Sequence, residues 1–298
     1  MDGGILNLDY YSGEDLYCDG EIEDELLKIV SENEDYTEIL KQDDRWPVLY
    51  HLSNIRENLF DWYEFDKTDD ILEVGSGCGA LTGLLCRKAG HVTCIELSKK
   101  RSTINATRNK KYSNLEILVG NFEDIPVTRR FDYVTLIGVL EYAPSYMKGR
   151  DPFSAMLKKI KGYLKHGGKV MIAIENKMGL KYFAGAVEDH TGEWFEGIED
   201  YPADKGVRTF SKTEIEELLK KNEFANIEFY YPMPDYKMPT MVYSDSYLPQ
   251  RGDLRNISYV YDRKRYELFQ EEAVYDRLCD DGMFGYFSNS FLIFAESK

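Results

Sequence analysis

A glycine-rich bend is the part of the sequence best suited to hold a ligand with the protein backbone. The apolar segment ILEV, residues 71–74, leads directly into GSGCG, residues 75–79. Glycine turns tightly and lets a ligand approach the main chain, and the N–H groups that open the next helix attract the polar groups of a nucleotide. Because Gly75, Gly77 and Ala80 also satisfy the dinucleotide pattern G-x-G-x-x-G/A, the bend by itself leaves the nucleotide open.

Two carboxylates narrow the choice of nucleotide. Glu96 closes the next apolar segment, where a carboxylate can accept hydrogen bonds from both ribose hydroxyls of an adenosine. Glu73 lies two residues before Gly75, a position that suits a ligand with an ammonium group and would repel a pyrophosphate. The pair favours S-adenosylmethionine over a nicotinamide dinucleotide, and an oxidoreductase that uses the dinucleotide stays as an alternative.

Short apolar segments alternate with helical ones. This alternation predicts the fold that positions the glycine-rich bend and the two carboxylates. The predicted strands are ILEV (71–74), HVTCIE (91–96), LEILVG (115–120), FDYVTLIG (131–138), KVMIAIE (169–175), NIEFYY (226–231) and FLIFA (291–295). Crossover helices between such strands predict right-handed βαβ units and a parallel sheet covered on both faces. The fold class is therefore α/β, Rossmann-like and doubly wound.

Capping residues predict where several helices begin. Apolar residues recur at helical spacing over residues 46–65, with Ser53 as the N-cap of the second half. Ser98 is a second predicted N-cap, and Ser211 with Glu214 has the spacing of a capping box. Two further helices are predicted, over residues 153–164 and near residues 266–278.

The chain divides into an N-terminal part and one large domain. Residues 1–68 are predicted to form a partly ordered acidic arm and a helical cap. Residues 69–298 are predicted to form the nucleotide-binding domain, with insertions at about 176–210 and 232–286 where the alternation of strands and helices breaks.

Five sequence blocks resemble the class I S-adenosylmethionine-dependent methyltransferases in their order and spacing. They are ILEVGSGCG (71–79), CIELS (94–98), VGNFEDIP (119–126), FDYVTLIGVLEY (131–142) and LKHGGKVMIAIEN (164–176). The resemblance implies S-adenosyl-L-methionine as the cofactor. It also implies a seven-stranded sheet whose last strand, residues 291–295, is antiparallel.

The resemblance assigns a cofactor-binding role to nine residues. It implies that the glycines line the methionine part, that Glu73 lies near its amino group and that Glu96 holds the ribose. Asn121 would bind the adenine amino group at a position where many members have Asp. The amide oxygen of Asn can accept the same hydrogen bond. The full implied set is Glu73, Gly75, Gly77, Gly79, Glu96, Leu97, Asn121, Phe122 and Gly138. Each has an alternative, such as strand–helix packing for the glycines, a helix-start carboxylate for Glu96, or an ordinary turn and a core aromatic for Asn121 and Phe122.

Three residues are the predicted catalytic ones. Methyl transfer from a sulfonium depends mainly on positioning the acceptor in a dry site, and an alcohol acceptor also gains from a base. Glu141 and Tyr142 lie in the block that the resemblance places near the methyl group. His190 is the candidate general base because the ordinary pKa of histidine is close to neutral pH, and the alternative is a solvated loop histidine.

Composition limits the partners and the location. The net charge of −16 would repel polyanions, so a small-molecule or glycan substrate is favoured and nucleic acid is not expected. No segment is apolar enough to span a membrane, and the acidic N-terminus does not resemble a signal peptide, which predicts a cytoplasmic protein. Cysteines without C-x-x-C spacing and singly scattered histidines predict no metal site. The oligomeric state stays open.

Two segments of the sequence bear on the identity of the methyl acceptor. The block VLEYAP (139–144) lacks the Asn/Asp-Pro-Pro-Tyr/Phe arrangement of enzymes that methylate base amino groups. The segment ENKMGLKYFAG…EDHTG is similar to methyltransferase domains associated with bacterial surface-polysaccharide synthesis, which implies O-methylation of a glycan or glycan phosphate. A non-catalytic scaffold or sensor that binds S-adenosylmethionine is the alternative function.

Overall fold

The structure is a computed structural model that describes residues 5–15, 20–203, 205–257 and 265–298. The strands of this described part are β1 Leu6–Tyr10, β2 Asp70–Val74, β3 His91–Glu96, β4 Leu115–Gly120, β5 Phe131–Ile137, β6 Leu164–Glu175, β7 Phe224–Met233, β8 Met241–Ser244 and β9 Ser290–Ser297. The helices are α1 Ile22–Glu32, α2 Thr37–Gln42, α3 Trp46–Leu52, α4 Thr82–Lys88, α5 Lys99–Arg108, α6 Ala143–Tyr146, α7 Pro152–Tyr163, α8 Leu180–Phe183, α9 Lys212–Lys221, α10 Glu271–Asp280 and α11 Phe284–Phe287.

The sheet has nine strands among the described residues, in the order β1-β4-β3-β2-β5-β6-β9-β7-β8. The pairs β1–β4, β4–β3, β3–β2 and β2–β5 are parallel, whereas β7 is antiparallel to both β9 and β8. The Rossmann-like core is as predicted, but the expected number of seven strands is wrong. The two additional strands, β1 and β8, lie at the two edges of the sheet, where partly exposed positions blur the apolar pattern that identifies a strand.

Two compact units make up the chain. The first contains Met1–Leu136 and Lys159–Lys169, and the second contains Ile137–Lys158 and Val170–Lys298. The first unit carries the glycine-rich bend, and the second carries both predicted insertions.

In the first unit, the helices of the N-terminal region pack on α5. Leu26 and Val30 of α1 and Leu52 of α3 are buried with Ile104 of α5 in one apolar cluster. Ser98 caps α5 as predicted, because its Oγ accepts a hydrogen bond from the Arg101 N–H group at 3.2 Å. Much of the predicted acidic arm is thus strand β1 and helix α1.

The helical segment predicted over residues 46–65 is interrupted. Helix α3 ends at Leu52, and a 3₁₀-helix, Asn54–Leu59, follows it. Ser53 caps the second part as predicted, since its Oγ accepts from the Ile55 N–H group. Because Ser53 has extended backbone angles, the two parts cannot form one continuous helix.

In the second unit, β9 and β7 form the centre of the core. All but one of the residues of β9 are buried, and Phe291 contacts Phe229 of β7 edge-on. Ser211 and Glu214 form the predicted capping box at the start of α9. The helix predicted near residues 266–278 begins later, at Glu271. Residues 258–264 of the second insertion lie outside the described residues.

Among the described residues, no helix combines the length and the apolar composition that crossing a lipid bilayer requires.

Candidate functional site

The glycine-rich bend has a backbone that favours glycine at all three positions. Gly75, Gly77 and Gly79 have φ angles of 71°, 53° and 76°, in the left-handed region. A Cβ atom at Gly77 would meet no other atom within 4 Å, so this side of the bend is open. A Cβ atom at Gly79 would instead overlap the side-chain amide of Asn105 on α5. The middle glycine can therefore face a ligand, while the last one also serves helix packing.

The Glu96 carboxylate is joined directly to this bend. Its Oε2 accepts a hydrogen bond from the Gly77 N–H group at 2.8 Å, and its Oε1 accepts from the Ser98 N–H group at 2.9 Å. Burial raises the pKa of the Glu96 carboxyl above its ordinary value. Each carboxylate oxygen keeps further acceptor capacity, so the group can bind hydroxyls of a ligand while it holds the bend.

In the second unit, His190 is surrounded by carboxylates. Its Nδ1 lies 2.9 Å from Glu188 Oε1, and its Nε2 lies 3.5 Å from Glu141 Oε1 and 3.7 Å from Glu175 Oε2. The Tyr142 ring is perpendicular to the imidazole at a centroid distance of 5.3 Å. The His190 side chain is only 8% exposed, so it is not a solvated loop histidine. The structure thus brings the three predicted catalytic residues together.

The charges in this cluster alter each other's proton affinity. Burial alone would lower the pKa of His190, but Glu175, Glu141 and Glu188 together raise it well above its ordinary value. Burial raises the pKa of Glu141. Burial would also raise the pKa of Glu175, but Lys237 and His190 hold it below its ordinary value. The three carboxylates therefore favour the protonated form of His190.

Two lysines complete the buried charge cluster. Lys237 Nζ lies 2.7 Å from both Glu175 Oε1 and Asp189 Oδ1, and Lys181 Nζ lies 2.8 Å from Asp189 Oδ2. The side chains of Glu175, Asp189 and Lys181 are at most 9% exposed, and that of Lys237 is 15% exposed. Burying so many charges costs free energy even when they are paired, which is typical of a functional site.

Comparison with known proteins identifies the domain that contains the bend. Residues 72–172 match the model of a family described as a methyltransferase domain. The match begins in β2, includes the bend and Glu96, and ends in β6. The chain carries a class I S-adenosylmethionine-dependent methyltransferase domain. S-adenosyl-L-methionine is the cofactor of this domain.

Similar proteins cover only parts of the chain. An uncharacterized methyltransferase of Staphylococcus carnosus is 28% identical over 171 residues, which are 52% of this chain and 74% of that protein. The ribosomal RNA small subunit methyltransferase A of Syntrophus aciditrophicus is 22% identical over 121 residues, 41% of each protein. The matched region therefore spans less than half of that relative.

A solved structure shares the fold at low sequence identity. Phosphoethanolamine N-methyltransferase 1 of Haemonchus contortus, solved with phosphoethanolamine and S-adenosylhomocysteine, has a TM-score of 0.51 and 10% identity. The similarity covers 93% of this chain and 48% of that one.

Two observations indicate that the bend of the methyltransferase domain is suited to an adenosyl ligand. The space beside Gly77 is open, and the buried Glu96 carboxylate lies at the same place with acceptor capacity left. Leu97, predicted to pack on adenine, is half-buried directly after Glu96. These three predicted residues therefore lie together.

Glu73 and the predicted adenine-side residues have protein partners of their own. Glu73 Oε2 accepts from Thr82 Oγ1 at 2.5 Å, so its carboxyl is bound inside the methyltransferase domain. Asn121 Oδ1 accepts from the Glu123 N–H group at 3.0 Å, which leaves one lone pair for adenine. Phe122 is buried, with its ring 5.8 Å from that of Tyr163. Their contacts with the cofactor stay predictions.

Gly138 belongs to the second unit, next to the charge cluster. Its φ is 69°, and a Cβ atom there would lie 2.8 Å from Tyr236 Oη and 3.6 Å from Glu141 Oε1. The glycine therefore permits the close packing of Tyr236 beside Glu141.

Sequence reasoning missed Glu175, Lys237 and the roles of Glu188 and Asp189. A signal was present for Glu175, because it is the charged residue at the carboxyl end of an otherwise apolar strand, where α/β proteins bind ligands. No comparable signal marks Lys237, which lies in the irregular segment PMPDYKMP.

Proposed function

We propose that this chain transfers a methyl group from S-adenosylmethionine to an oxygen of a glycan, a glycan phosphate or another small polar acceptor. The observation that supports the proposal most is the hydrogen bond from the Gly77 N–H group to the buried Glu96 carboxylate, beside open space at Gly77 that an adenosine could occupy. A location in the cytoplasm is part of the proposal.

The residues of the bend would hold the cofactor as follows. The backbone of Gly75, Gly77 and Gly79 lines the methionine part, and Glu96 accepts hydrogen bonds from the ribose hydroxyls. Leu97, Asn121 and Phe122 surround the adenine, and Glu73 and Gly138 complete the cofactor site. When bound, S-adenosylmethionine supplies an electrophilic methyl group. The chain's contribution is to position the acceptor and exclude water.

The charge cluster of the second unit would hold the acceptor. Glu141 and His190 offer one acceptor and one donor side by side, and Tyr142 adds an aromatic face. A sugar hydroxyl can donate to the carboxylate and accept from the imidazolium, while its ring packs on an aromatic side chain. These three residues are the proposed catalytic ones.

The same cluster supports an enzyme over a non-catalytic scaffold. Both oxygens of the buried Glu141 carboxylate have no hydrogen-bond partner among the described residues. The charged group nearest to it is His190, whose Nε2 lies 3.5 Å from Glu141 Oε1. A buried polar group without a hydrogen bond costs about 1–3 kcal/mol, and more if it is charged. A protein that only senses S-adenosylmethionine gains nothing from this cost, whereas an acceptor site can recover it on binding.

A cationic amine is the second candidate acceptor. Glu141 and Glu175 are buried carboxylates that an ammonium group could pair with. The phosphoethanolamine enzyme with a similar fold acts on a small amine according to its name. Ribosomal RNA, named for other relatives, is disfavoured by the net charge of −16.

The test combines cofactor binding with a search for product. Binding of S-adenosylhomocysteine is measured by calorimetry for the wild type, for Glu96→Gln, and for the exposed control Glu64→Gln. Hydrogen bonds to a charged group contribute about 1.5–3 kcal/mol, so we expect roughly 10- to 100-fold weaker binding for Glu96→Gln and no change for the control.

Mass spectrometry then shows which acceptors gain one CH₂ unit after incubation with S-adenosylmethionine. The panel contains neutral sugars, sugar phosphates and small amines. Methylated sugars support the proposal, and methylated amines alone support the second candidate. Absence of S-adenosylhomocysteine binding by the wild-type protein would overturn both.

A further inference from the structure

Three side chains of the second unit bring possible metal-ligand atoms close together. Glu141, Glu175 and His190 each offer one atom, and all these atoms lie within 4.8 Å of one another. His190 Nε2 lies 3.5 Å from Glu141 Oε1 and 3.7 Å from Glu175 Oε2. Neighbouring ligands of a tetrahedral metal ion with bonds of about 2.1 Å lie roughly 3.4 Å apart. The two distances from His190 Nε2 are therefore close to the spacing of metal ligands and longer than an ordinary hydrogen bond.

The carboxylates of Glu141 and Glu175 lack hydrogen-bond partners among the described residues. Glu141 and Glu175 are fully buried, and none of their four carboxylate oxygens makes a hydrogen bond to the described residues. Lys237 Nζ lies 2.7 Å from Glu175 Oε1, in an ion pair without hydrogen-bond geometry, which leaves Oε2 facing His190. Buried carboxylates are normally paired or bound to metal. These oxygens are suited to an additional cation.

His190 is oriented in the way that metal-binding histidines are. Its Nδ1 pairs with Glu188 Oε1 at 2.9 Å, which leaves Nε2 directed at Glu141 Oε1 and Glu175 Oε2. Glu188 is itself held, since its Oε2 accepts from the N–H groups of His190 and Thr191. A carboxylate on the second ring nitrogen fixes the tautomer and orientation of a ligating imidazole.

The charge count leaves room for two positive charges. The cluster contains four buried carboxylates, of Glu141, Glu175, Glu188 and Asp189, and two ammonium groups, of Lys181 and Lys237. With a neutral imidazole at His190, the cluster has two excess negative charges. One divalent cation would neutralise it.

We propose that Glu141, Glu175 and His190 bind a divalent metal ion through Glu141 Oε1, Glu175 Oε2 and His190 Nε2. A mixed set of two carboxylates and one imidazole suits Mn²⁺ or Zn²⁺ better than Mg²⁺, which prefers oxygen ligands and keeps its water. The site deepens the proposed function, and its role rests on that function. With the ion bound, an oxygen of the methyl acceptor would occupy an open position of the ion, in place of direct hydrogen bonds to Glu141 and His190.

Metal binding is measured without reference to activity. The full-length protein is treated with EDTA, dialysed and titrated with Mn²⁺, and bound Mn²⁺ is followed by electron paramagnetic resonance and calorimetry; Zn²⁺ and Mg²⁺ are titrated in parallel. We expect one Mn²⁺ or Zn²⁺ per chain and weaker binding of Mg²⁺. Glu141→Gln and His190→Ala should abolish the binding. Glu188→Gln, which removes the charge that pairs with His190 Nδ1, should weaken it roughly 10- to 100-fold.

Controls separate the metal site from folding and from methyl transfer. His166→Ala changes an exposed histidine and should bind Mn²⁺ like the wild type. S-adenosylhomocysteine binding by each variant reports that the protein is folded. Absence of Mn²⁺ and Zn²⁺ binding by the wild type, or wild-type binding by Glu141→Gln, overturns the metal site and leaves the proposed function standing. Metal binding without any methylated product overturns the proposed function and leaves the metal site standing.

Discussion

Glu73 shows how a buried side chain near the cofactor bend influences stability. Its carboxyl is buried in β2 and accepts hydrogen bonds from Thr82 Oγ1 and Cys94 Sγ. Burial raises its pKa to about 7, although both hydrogen bonds act in the opposite direction. In the folded protein the group is therefore protonated at pH values at which it is ionised in the unfolded chain.

The contribution of Glu73 to the free energy of unfolding should consequently fall as the pH rises. The contribution of a carboxyl with a raised pKa is fully present below the unfolded value of about 4.5 and is lost as the pH rises through about 7. A shift of this size corresponds to about 3 kcal/mol. We expect Glu73→Gln, which cannot ionise, to gain most of that amount relative to the wild type between pH 5 and pH 8. Urea unfolding at a series of pH values measures it.

The exposed Glu64→Gln variant is the matched control for this series. Its stability relative to the wild type should change by no more than about 0.5 kcal/mol over the same pH range. A Glu73→Gln curve parallel to that of the wild type would show that Glu73 is already ionised in the folded protein.

The bend between β2 and α4 depends on its contact with α5. Asn105 of α5 donates hydrogen bonds from Nδ2 to Ser76 Oγ at 3.2 Å and to Thr82 Oγ1 at 3.1 Å. These bonds hold the Asn105 amide against Gly79, where a Cβ atom would overlap it. Gly77 has the same left-handed backbone but open space around it.

This difference predicts unequal effects for two alanine substitutions. A left-handed backbone costs an L-residue about 1–2 kcal/mol in both variants. Gly79→Ala should lose about 1–3 kcal/mol more, because the added methyl group also overpacks the contact with α5. Urea unfolding of Gly77→Ala and Gly79→Ala measures the difference. Equal losses would mean that Asn105 can move away at no cost.

The charge of the whole chain bears on the acceptor. The chain has 37 basic and 53 acidic side chains. Nucleic-acid binding depends on the neutralisation of phosphates by Lys and Arg and weakens steeply with salt.

We therefore expect no binding of a structured RNA in fluorescence anisotropy at near-physiological salt. Lower salt should not restore it, because electrostatic repulsion becomes stronger as screening falls. Tight binding with a strong salt dependence would reveal a local basic surface and would favour an RNA acceptor.

Local sequence patterns predicted most of the elements that carry the cofactor site. The seven core strands, the bend after β2 and the caps at Ser98 and Ser211 all follow from periodicity or from residues a few positions apart. Glu96 was also predictable, because a carboxylate at the end of the second core strand lies next to the bend in this fold. The edge strands were missed because half-exposed segments have weak patterns.

The charge cluster could not be derived in the same way. Glu141, Glu175, His190 and Lys237 come from four segments separated by irregular insertions, and their contacts exist only when the chain has folded. The same is true of the Asn105 contact that requires Gly79 and of the Thr82 contact that binds Glu73. Periodicity and turn chemistry act between near neighbours in the chain, so sequence alone determined the seven core strands, the bend and the nucleotide chemistry. Which buried charges face each other depends on long-range packing, and that was visible only in three dimensions.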